Sequence, residues 1–257
     1  MSILNKFAVL ASLASASVTM AQPASSVKDG ITDSAAKVSF SVESSYHKFD
    51  GATDSVLVLT PVVSFDGLFV DDLSVGVAMP TFEQGDLGVG GLDVFANYTI
   101  WDGKTLGGDA KFTLGGGALV PVFDTAFDPD NVVPHFDAAF SVDWGTVSAS
   151  EAVRFDYIYD GFCFNPTLGG AVEEAVVSSE TELTWNPSDW LAIGGNLDVQ
   201  YATDTESLTV LAGPEIGWTP SKHFNLEFGI GLPVHQDIDP VFDETDWVAY
   251  GGFTVSF

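Results

Sequence analysis

The chain has very few basic residues and a single cysteine. Its 257 residues include 8 Lys and Arg against 36 Asp and Glu, which gives a formal net charge of -28 at pH 7. This charge excludes non-specific binding to nucleic-acid phosphates. Cys163 has no second cysteine to join, so an intramolecular disulfide and a multi-cysteine metal site are both excluded. Because 46% of the residues are hydrophobic and only 17% are charged, the chain is not an intrinsically disordered one.

Long apolar runs are also missing, which excludes membrane-spanning helices. The one apolar stretch near the N-terminus, residues 7–18, follows Lys6 and precedes the small-residue sequence Thr19-Met20-Ala21. This arrangement predicts a secretory signal peptide over residues 1–21. Residues 22–36 are small and polar, and we expect them to form a flexible periplasmic lead-in.

From Lys37 onward, apolar and polar residues alternate with the period of two that indicates β-strands. Residues 223–234, for example, carry Phe224, Phe228 and Leu232 on one face and Asn225 and Glu227 on the other. The same pattern predicts twelve strands, at residues 37–46, 55–65, 68–80, 88–101, 107–122, 132–144, 147–159, 176–185, 190–201, 207–218, 223–234 and 247–257.

The length of these segments favours strands that cross a membrane. Many span 10 residues or more, whereas strands of soluble proteins are mostly about 5 to 6 residues long and transmembrane strands need about 9 to 11. We therefore predict a closed antiparallel up-and-down transmembrane β-barrel of twelve strands over residues 37–257. Ten or fourteen strands remain alternatives, and so does an exported soluble β-sandwich.

The connections between the predicted strands are of two alternating kinds. Short ones combine an aromatic residue with turn-forming residues, as in Trp101-Asp-Gly-Lys, Trp144-Gly-Thr and Phe65-Asp-Gly. Longer, acidic ones lie at 47–54, 81–87, 123–131, 160–175, 202–206 and 235–246. In outer-membrane barrels, short turns face the periplasm, long loops face outward and aromatic girdles mark the interfaces. The predicted aromatic girdle comprises Trp101, Trp144, Trp185, Trp190, Trp218 and Phe257.

Together, the signal peptide, the period-two strands and the C-terminal sequence Gly251-Gly-Phe-Thr-Val-Ser-Phe257 make the chain resemble bacterial outer-membrane β-barrel proteins of the porin-like type. The resemblance implies a location in the outer membrane of a Gram-negative-type cell. It also implies contact with outer-membrane lipid, and recognition of the terminal Phe257 by the insertion machinery.

In a barrel that crosses lipid, the apolar face of each strand points outward and the polar face lines the lumen. The residues predicted to line the lumen are mostly acidic: Glu43, Asp72, Asp93, Lys111, Asp137, Asp143, Arg154, Asp156, Glu180, Glu182, Asp198, Glu215 and Glu227. Several glycines share this face; they would either leave room for a water-filled path or permit the curvature of a small barrel.

An acidic lumen predicts a passive channel for cations or small neutral solutes, because negative walls attract cations and repel anions. One alternative is a structural or surface-interaction barrel with a plugged lumen and acidic binding loops. A less favoured alternative is an outer-membrane hydrolase that uses His135 with Asp137, or His235 with Asp237 in the last long loop. Neither a Gly-x-Ser-x-Gly nor a His-Glu-x-x-His motif accompanies these pairs, so we expect no enzymatic activity.

The sequence predicts no cofactor, and no metal beyond a weak candidate site for a divalent cation in one loop, formed by Asp237, Asp239, Asp243 and Glu244. Arg154, the only arginine, would either form a structural ion pair with a neighbouring carboxylate or act at a constriction. Cys163 is expected in an outward-facing loop. The pattern leaves the solute and the oligomeric state open.

Overall fold

The sequence folds into a closed antiparallel β-barrel in a computed structural model that describes residues 37–49, 55–67, 70–84, 86–122, 129, 131–158, 163–165, 170–172, 175–237 and 245–257. The strands are β1 Lys37–Phe49, β2 Ser55–Asp66, β3 Leu73–Ala78, β4 Thr81–Gln84, β5 Asp86–Val89, β6 Leu92–Thr105, β7 Gly108–Val120, β8 Val133–Asp143, β9 Val147–Tyr157, β10 Cys163–Asn165, β11 Gly170–Val172, β12 Ala175–Ser188, β13 Leu191–Ala202, β14 Ser207–Ser221, β15 Phe224–Asp237 and β16 Thr245–Ser256. The predicted signal peptide and lead-in, residues 1–36, lie outside the described residues.

Twelve of these strands form the wall, each pairing antiparallel with the strand before and after it along the barrel. The first strand, β1, pairs with β2 on one side and with the last strand, β16, on the other. This pairing closes the sheet and leaves no free edge, as a strand structure in lipid requires. The prediction of a twelve-stranded barrel is confirmed, and the alternatives of ten or fourteen strands are wrong.

Four short strands lie outside the twelve. The strand β4 continues along β2 where β3 ends. Between them, the Met79 amide still donates to the Pro61 carbonyl, and Pro80 has no amide hydrogen to donate. The strand β5 pairs with β4. The strands β10 and β11 form a separate two-stranded hairpin. The predicted loops 81–87 and 160–175 therefore contain short β-hairpins. One of them includes Cys163, which begins β10.

At the short-turn end of the barrel, the strands run further than the sequence indicated. The predicted turn at Trp101-Asp-Gly-Lys is wrong, since β6 continues to Thr105 and the chain turns at Leu106 and Gly107, both with positive φ. In β6, β12 and β14 a β-bulge lies next to Trp101, Trp185 and Trp218, respectively. A bulge inserts an extra residue without ending the ladder, so an aromatic and turn-forming composition does not mark the last residue of the strand.

On the barrel's outer surface, large apolar side chains are exposed, among them Leu59, Tyr98, Phe136, Leu183 and Ile230. A soluble β-sandwich would bury its apolar face between two sheets, so the exposed band agrees with a barrel that faces lipid. Within the described ranges, no helix is long and apolar enough to cross a membrane.

Candidate functional site in the barrel lumen

A cavity of about 690 Å³ occupies one side of the lumen. Its lining comes mainly from β1 and β12 to β16, and it reaches the short-turn end, where Gly145, Trp190 and Lys222 line it. A volume of this size is typical of sites that hold a small molecule. The cavity is therefore the described region in which a solute would meet the interior of the barrel.

Eight carboxylates line this cavity. Asp143 and Asp189 lie at the short-turn end, and the other six define what we call the acidic wall: Glu43, Glu180, Glu182, Asp198, Glu215 and Glu227. The sheet register brings them together. Glu180 lies directly opposite Asp198, and Glu43 and Glu227 both pair with Gly252, which lies between them. The six residues come from five strands of one continuous part of the barrel, so the negative charge is spread around that part of the wall.

Neutral side chains donate hydrogen bonds to three carboxylates of the acidic wall. The Ser150 hydroxyl donates to Glu182 Oε2 at 3.1 Å, the Asn225 amide donates to Glu227 Oε1 at 2.9 Å, and the Tyr250 hydroxyl donates to Glu215 Oε2 at 3.3 Å. Within the described ranges, none of the ion pairs found in the barrel includes a residue of the acidic wall. Among the described residues, no base therefore lies in direct contact with the acidic wall.

Tyr250 reaches Glu215 because a glycine lies between them. Tyr250 is on β16 and Glu215 is on β14, and Gly229 of β15 pairs with both residues. A β-carbon at Gly229 would collide with the hydroxyl and ring of Tyr250. This glycine therefore leaves room for a particular side chain, which the sequence pattern did not reveal.

A second group of charged residues lies on β6, β8 and β9, and one of its members, Arg154, also lines the cavity. We call it the Arg154 cluster: Asp93, His135, Asp137, Arg154 and Asp156. Each of the five side chains belongs to a residue that is at most 6% exposed. All five come from inward-facing positions, and four of them are among the residues predicted to line the lumen.

Within the Arg154 cluster, His135 bridges two aspartates. Its Nε2 lies 2.9 Å from Asp93 Oδ1, and its Nδ1 lies 2.9 Å from Asp137 Oδ2. Arg154 Nε donates to Asp156 Oδ1 at 2.9 Å, while Arg154 also lies 3.7 Å from Asp93 and 3.9 Å from Asp137. The cluster thus compensates its three carboxylates with one permanent cation and with two bonds to an imidazole.

A glycine also makes this bridge possible. Asp93 and His135 lie on strands that flank β7, and Gly117 of β7 pairs with His135. A β-carbon at Gly117 would lie 2.6 Å from His135 Nε2 and would also collide with the carbonyl of Val94. The ring of His135 therefore crosses β7 over a position that only glycine can occupy.

The remaining residues predicted to line the lumen are separate from both groups. Asp143 lines the cavity, where its Oδ1 accepts a 2.6 Å hydrogen bond from the Gly145 amide. Lys111 forms a solvent-exposed ion pair with Asp102 at 3.4 Å. Asp72 is not in a strand as predicted but in the exposed turn before β3, with a φ of 69°, a conformation that aspartate tolerates better than most residues.

One carboxylate in the transmembrane wall was missed because it lies on the apolar face. Glu151 lies on the face of β9 opposite to that of the inward-facing Arg154, and it pairs with Phe140 on β8 and Thr181 on β12. The hydroxyls of Ser179 and Thr181 both donate to it. These two donors satisfy the carboxylate locally, which lowers the cost of placing it on the outer surface. A period-two pattern with apolar neighbours gives no signal for such a residue.

The inner surface near the long connections is apolar. Leu119, Val133, Ile158, Val176 and Ala202 form a cluster of residues that are at most 4% exposed. They lie above the Arg154 cluster, toward the ends of their strands that lead into the long connections. In the described part of the lumen, the carboxylates of the acidic wall therefore lie along the cavity, and a compact apolar cluster lies at this end.

The structure changes the interpretation of the two histidine pairs that were considered as catalytic couples. Both ring nitrogens of His135 are bonded to aspartates, and the residue is buried. His235 and Asp237 lie in β15, not in a loop, because that strand extends to Asp237. Of the candidate metal ligands, Asp239, Asp243 and Glu244 fall outside the described residues.

Outer-membrane channels are among the solved structures to which the barrel is similar. An outer-membrane channel from Pseudomonas putida F1 matches with a TM-score of 0.66 at 10% identity, over 86% of this chain and 95% of that one. The NanC porin matches with a TM-score of 0.56 at 10% identity, over 84% and 98%. The KdgM porin in complex with disordered oligogalacturonate matches with a TM-score of 0.52 at 12% identity, over 84% and 99%. No protein-family model and no curated protein matches the sequence.

The chain has the fold of an outer-membrane β-barrel. In this fold, the residues of the predicted aromatic girdle all lie at or near the short-turn end, and all are exposed. Trp144 is fixed there by its indole Nε1, which donates to the Leu106 carbonyl at 3.0 Å. Phe257 follows the last strand, and its amide donates to the Val38 carbonyl at 2.9 Å.

Proposed function

We propose that the protein is a porin-like passive channel of the outer membrane that favours cations or small neutral solutes. One observation carries the proposal: a cavity of about 690 Å³ in the lumen is lined by the six carboxylates of the acidic wall. Fixed negative charge in a confined aqueous space raises the local concentration of cations and lowers that of anions. The wall would act on any solute that passes along it.

The acidic wall argues against a polyanionic solute. Oligogalacturonate, present in the complex of the KdgM porin, carries carboxylates of its own. Such a molecule would meet Glu180, Glu182 and Asp198 at close quarters, and like charges in a site of reduced dielectric repel strongly. The similarity of fold is therefore compatible with a different solute class.

The proposed orientation of the barrel in the membrane is the one common to outer-membrane β-barrels. The short turns would face the periplasm, and the long acidic connections would face outward. Residues 1–21 would be removed on export, the exposed apolar band would contact outer-membrane lipid, and Phe257 would present the terminal aromatic residue to the insertion machinery. Cations and small solutes would then be the partners within the lumen.

A specific observation favours the second candidate, a structural barrel with a plugged lumen. The apolar cluster of Leu119, Val133, Ile158, Val176 and Ala202 is packed inside the barrel near the long connections. A barrel sealed there would not conduct, and its acidic connections would serve binding. Catalysis is not proposed, because His135 has both ring nitrogens bonded to buried aspartates.

Reversal potentials in a planar bilayer under a KCl gradient test the proposal. The native channel should prefer K⁺ over Cl⁻, and the double variant Glu180→Gln/Glu182→Gln should move the permeability ratio toward one. Glu151→Gln is the control, since it removes a carboxylate from the outer face of the barrel, on the strand that pairs with β12. Anion preference in the native protein would overturn the cation channel, and silence with intact insertion would favour the plugged barrel.

A further inference from the structure

Four polar atoms of residues that line the cavity have no hydrogen-bond partner among the described residues. They are Glu43 Oε2, His47 Nδ1, Asn196 Oδ1 and the hydroxyl oxygen of Ser188. Two of them can only accept a hydrogen bond, and an imidazole nitrogen accepts in one of its two tautomers. Leaving a buried polar atom unpaired costs about 1 to 3 kcal/mol. The cavity therefore offers acceptors that a ligand rich in N–H groups would satisfy.

His47 provides evidence for a ligand that does not depend on the carboxylates of the acidic wall. The residue is only 4% exposed, it lines the cavity, and it shares the inward face of β1 with Glu43. Its Nε2 lies 2.9 Å from Ser45 Oγ, whereas its Nδ1 is unpaired within the described ranges. A cationic ligand selects the tautomer in which Nε2–H donates to Ser45 and Nδ1 accepts from the ligand.

The spread of these acceptors indicates the shape of the ligand. From β12 to β1 the wall contains six adjacent strands, an arc of roughly 24 Å at the usual strand spacing. A bare divalent ion holds its oxygen ligands at about 2.3 to 2.6 Å, so it could engage only a few neighbouring groups. A linear molecule with several separated ammonium groups can engage acceptors on several of these strands at once.

Apolar groups lie among the acceptors. Val58, Leu211 and Val248 line the same cavity as His47 and are at most 5% exposed. Methylene segments between ammonium groups would contact these side chains and remove apolar surface from water. Both the polar and the apolar lining are therefore matched by an alkyl polyamine.

We propose that the cavity binds linear alkyl polyamines, with ammonium groups at the acidic wall and N–H donation to His47 and Asn196. This inference specifies the solute class of the proposed channel. It depends on the proposed function only because the solute must be able to reach the lumen. It narrows the solute class from cations in general to elongated polycations with several N–H donors. Binding is measurable whether or not the barrel conducts.

Calorimetric titration of the detergent-solubilised barrel with spermidine tests the proposal. Hexaamminecobalt(III) is the matched control ligand, because it has the same charge of +3 and many N–H donors in a compact sphere. Spermidine should bind at least about five-fold more tightly than the cobalt complex, the preference expected from one or two additional satisfied acceptors. Equal affinity, or no binding of spermidine, would overturn the proposal.

Two variants remove an acceptor without changing the formal charge. Asn196→Leu and His47→Phe should each weaken spermidine binding by roughly five- to ten-fold, whereas Glu151→Gln on the outer face should leave it unchanged. Heat-dependent migration on a gel verifies that each variant is folded. Unchanged affinity in both folded variants would contradict the roles given to these residues. If the barrel conducts potassium but does not bind spermidine, the proposed channel function is supported and the polyamine site is contradicted. If the barrel binds spermidine but does not conduct, the polyamine site is supported and the channel function is contradicted.

Discussion

The acidic wall and the Arg154 cluster are both rich in carboxylates, but they handle the charge differently. In the Arg154 cluster, Asp93, Asp137 and Asp156 are nearly inaccessible and share Arg154 and His135. In the acidic wall, the carboxylates are only half-buried and have neutral partners within the described ranges. Burial of a carboxylate is tolerated when a base lies beside it, and exposure to a cavity is tolerated without one.

This comparison assigns different roles to the two regions. The Arg154 cluster ties β6, β8 and β9 together by charge-assisted contacts across β7, so we expect it to stabilise the barrel. The acidic wall leaves its charge available to the cavity, so we expect it to act on solutes. Substitutions in the two regions should therefore affect different measurements.

Removing the base from the Arg154 cluster should have the largest effect. Arg154→Met leaves Asp93, Asp137 and Asp156 buried without their permanent cation. Loss of one partner from a buried charged group costs about 3 to 5 kcal/mol, so the free energy of unfolding should fall by that amount. Urea titration of the solubilised barrel, followed by tryptophan fluorescence, measures the change.

Lys111→Gln is the control for this substitution, because it removes a cation from a wall ion pair that is solvent-exposed. Exposed pairs contribute about 1 kcal/mol or less. Equal losses in Arg154→Met and Lys111→Gln would show that burial of the Arg154 cluster does not distinguish the two regions.

An intermediate loss is expected from Gly117→Ala. The added β-carbon would meet the Val94 carbonyl and the His135 ring, so the strand or the bridge from His135 to Asp93 must shift. Overpacking of this kind costs about 1 to 3 kcal/mol. Gly231→Ala is the counterpart beside the acidic wall, where the added carbon would be 3.4 Å from the nearest side-chain atom, on Leu211. The same urea titration should show little change there, and a larger loss at Gly231 than at Gly117 would contradict the steric argument.

Much of this architecture could be predicted from sequence because alternation is a local property. The period of two predicts every one of the twelve wall strands. Closure follows because strands that cross lipid must pair all their backbone N–H and C=O groups with neighbouring strands. The strand ends were less accurate. The bulges near Trp101, Trp185 and Trp218 extend strands past residues that usually form turns, and a bulge has no marker in a period-two pattern.

The division of the lumen could not be predicted, because it depends on which strands become neighbours across a glycine. The sequence pattern placed Asp93, Asp137, Arg154 and Asp156 on the inward face together with Glu180 and Glu215, as one acidic set. Only the register shows that His135 crosses Gly117 to reach Asp93 and that Tyr250 crosses Gly229 to reach Glu215. Side chains that span two strands are set by the sheet, not by the order of residues in one strand.

The smallest effect on stability is expected in the acidic wall itself. Glu180→Gln removes one of two carboxylates that lie opposite each other, the other being Asp198. Because no base within the described ranges contacts Glu180, its loss relieves repulsion and breaks no ion pair. The free energy of unfolding should rise by up to about 1 kcal/mol at pH 7. Asp93→Asn, the corresponding change in the Arg154 cluster, should lower it instead. A loss of stability at pH 7 would mean that the acidic wall, like the Arg154 cluster, is stabilised by its charges.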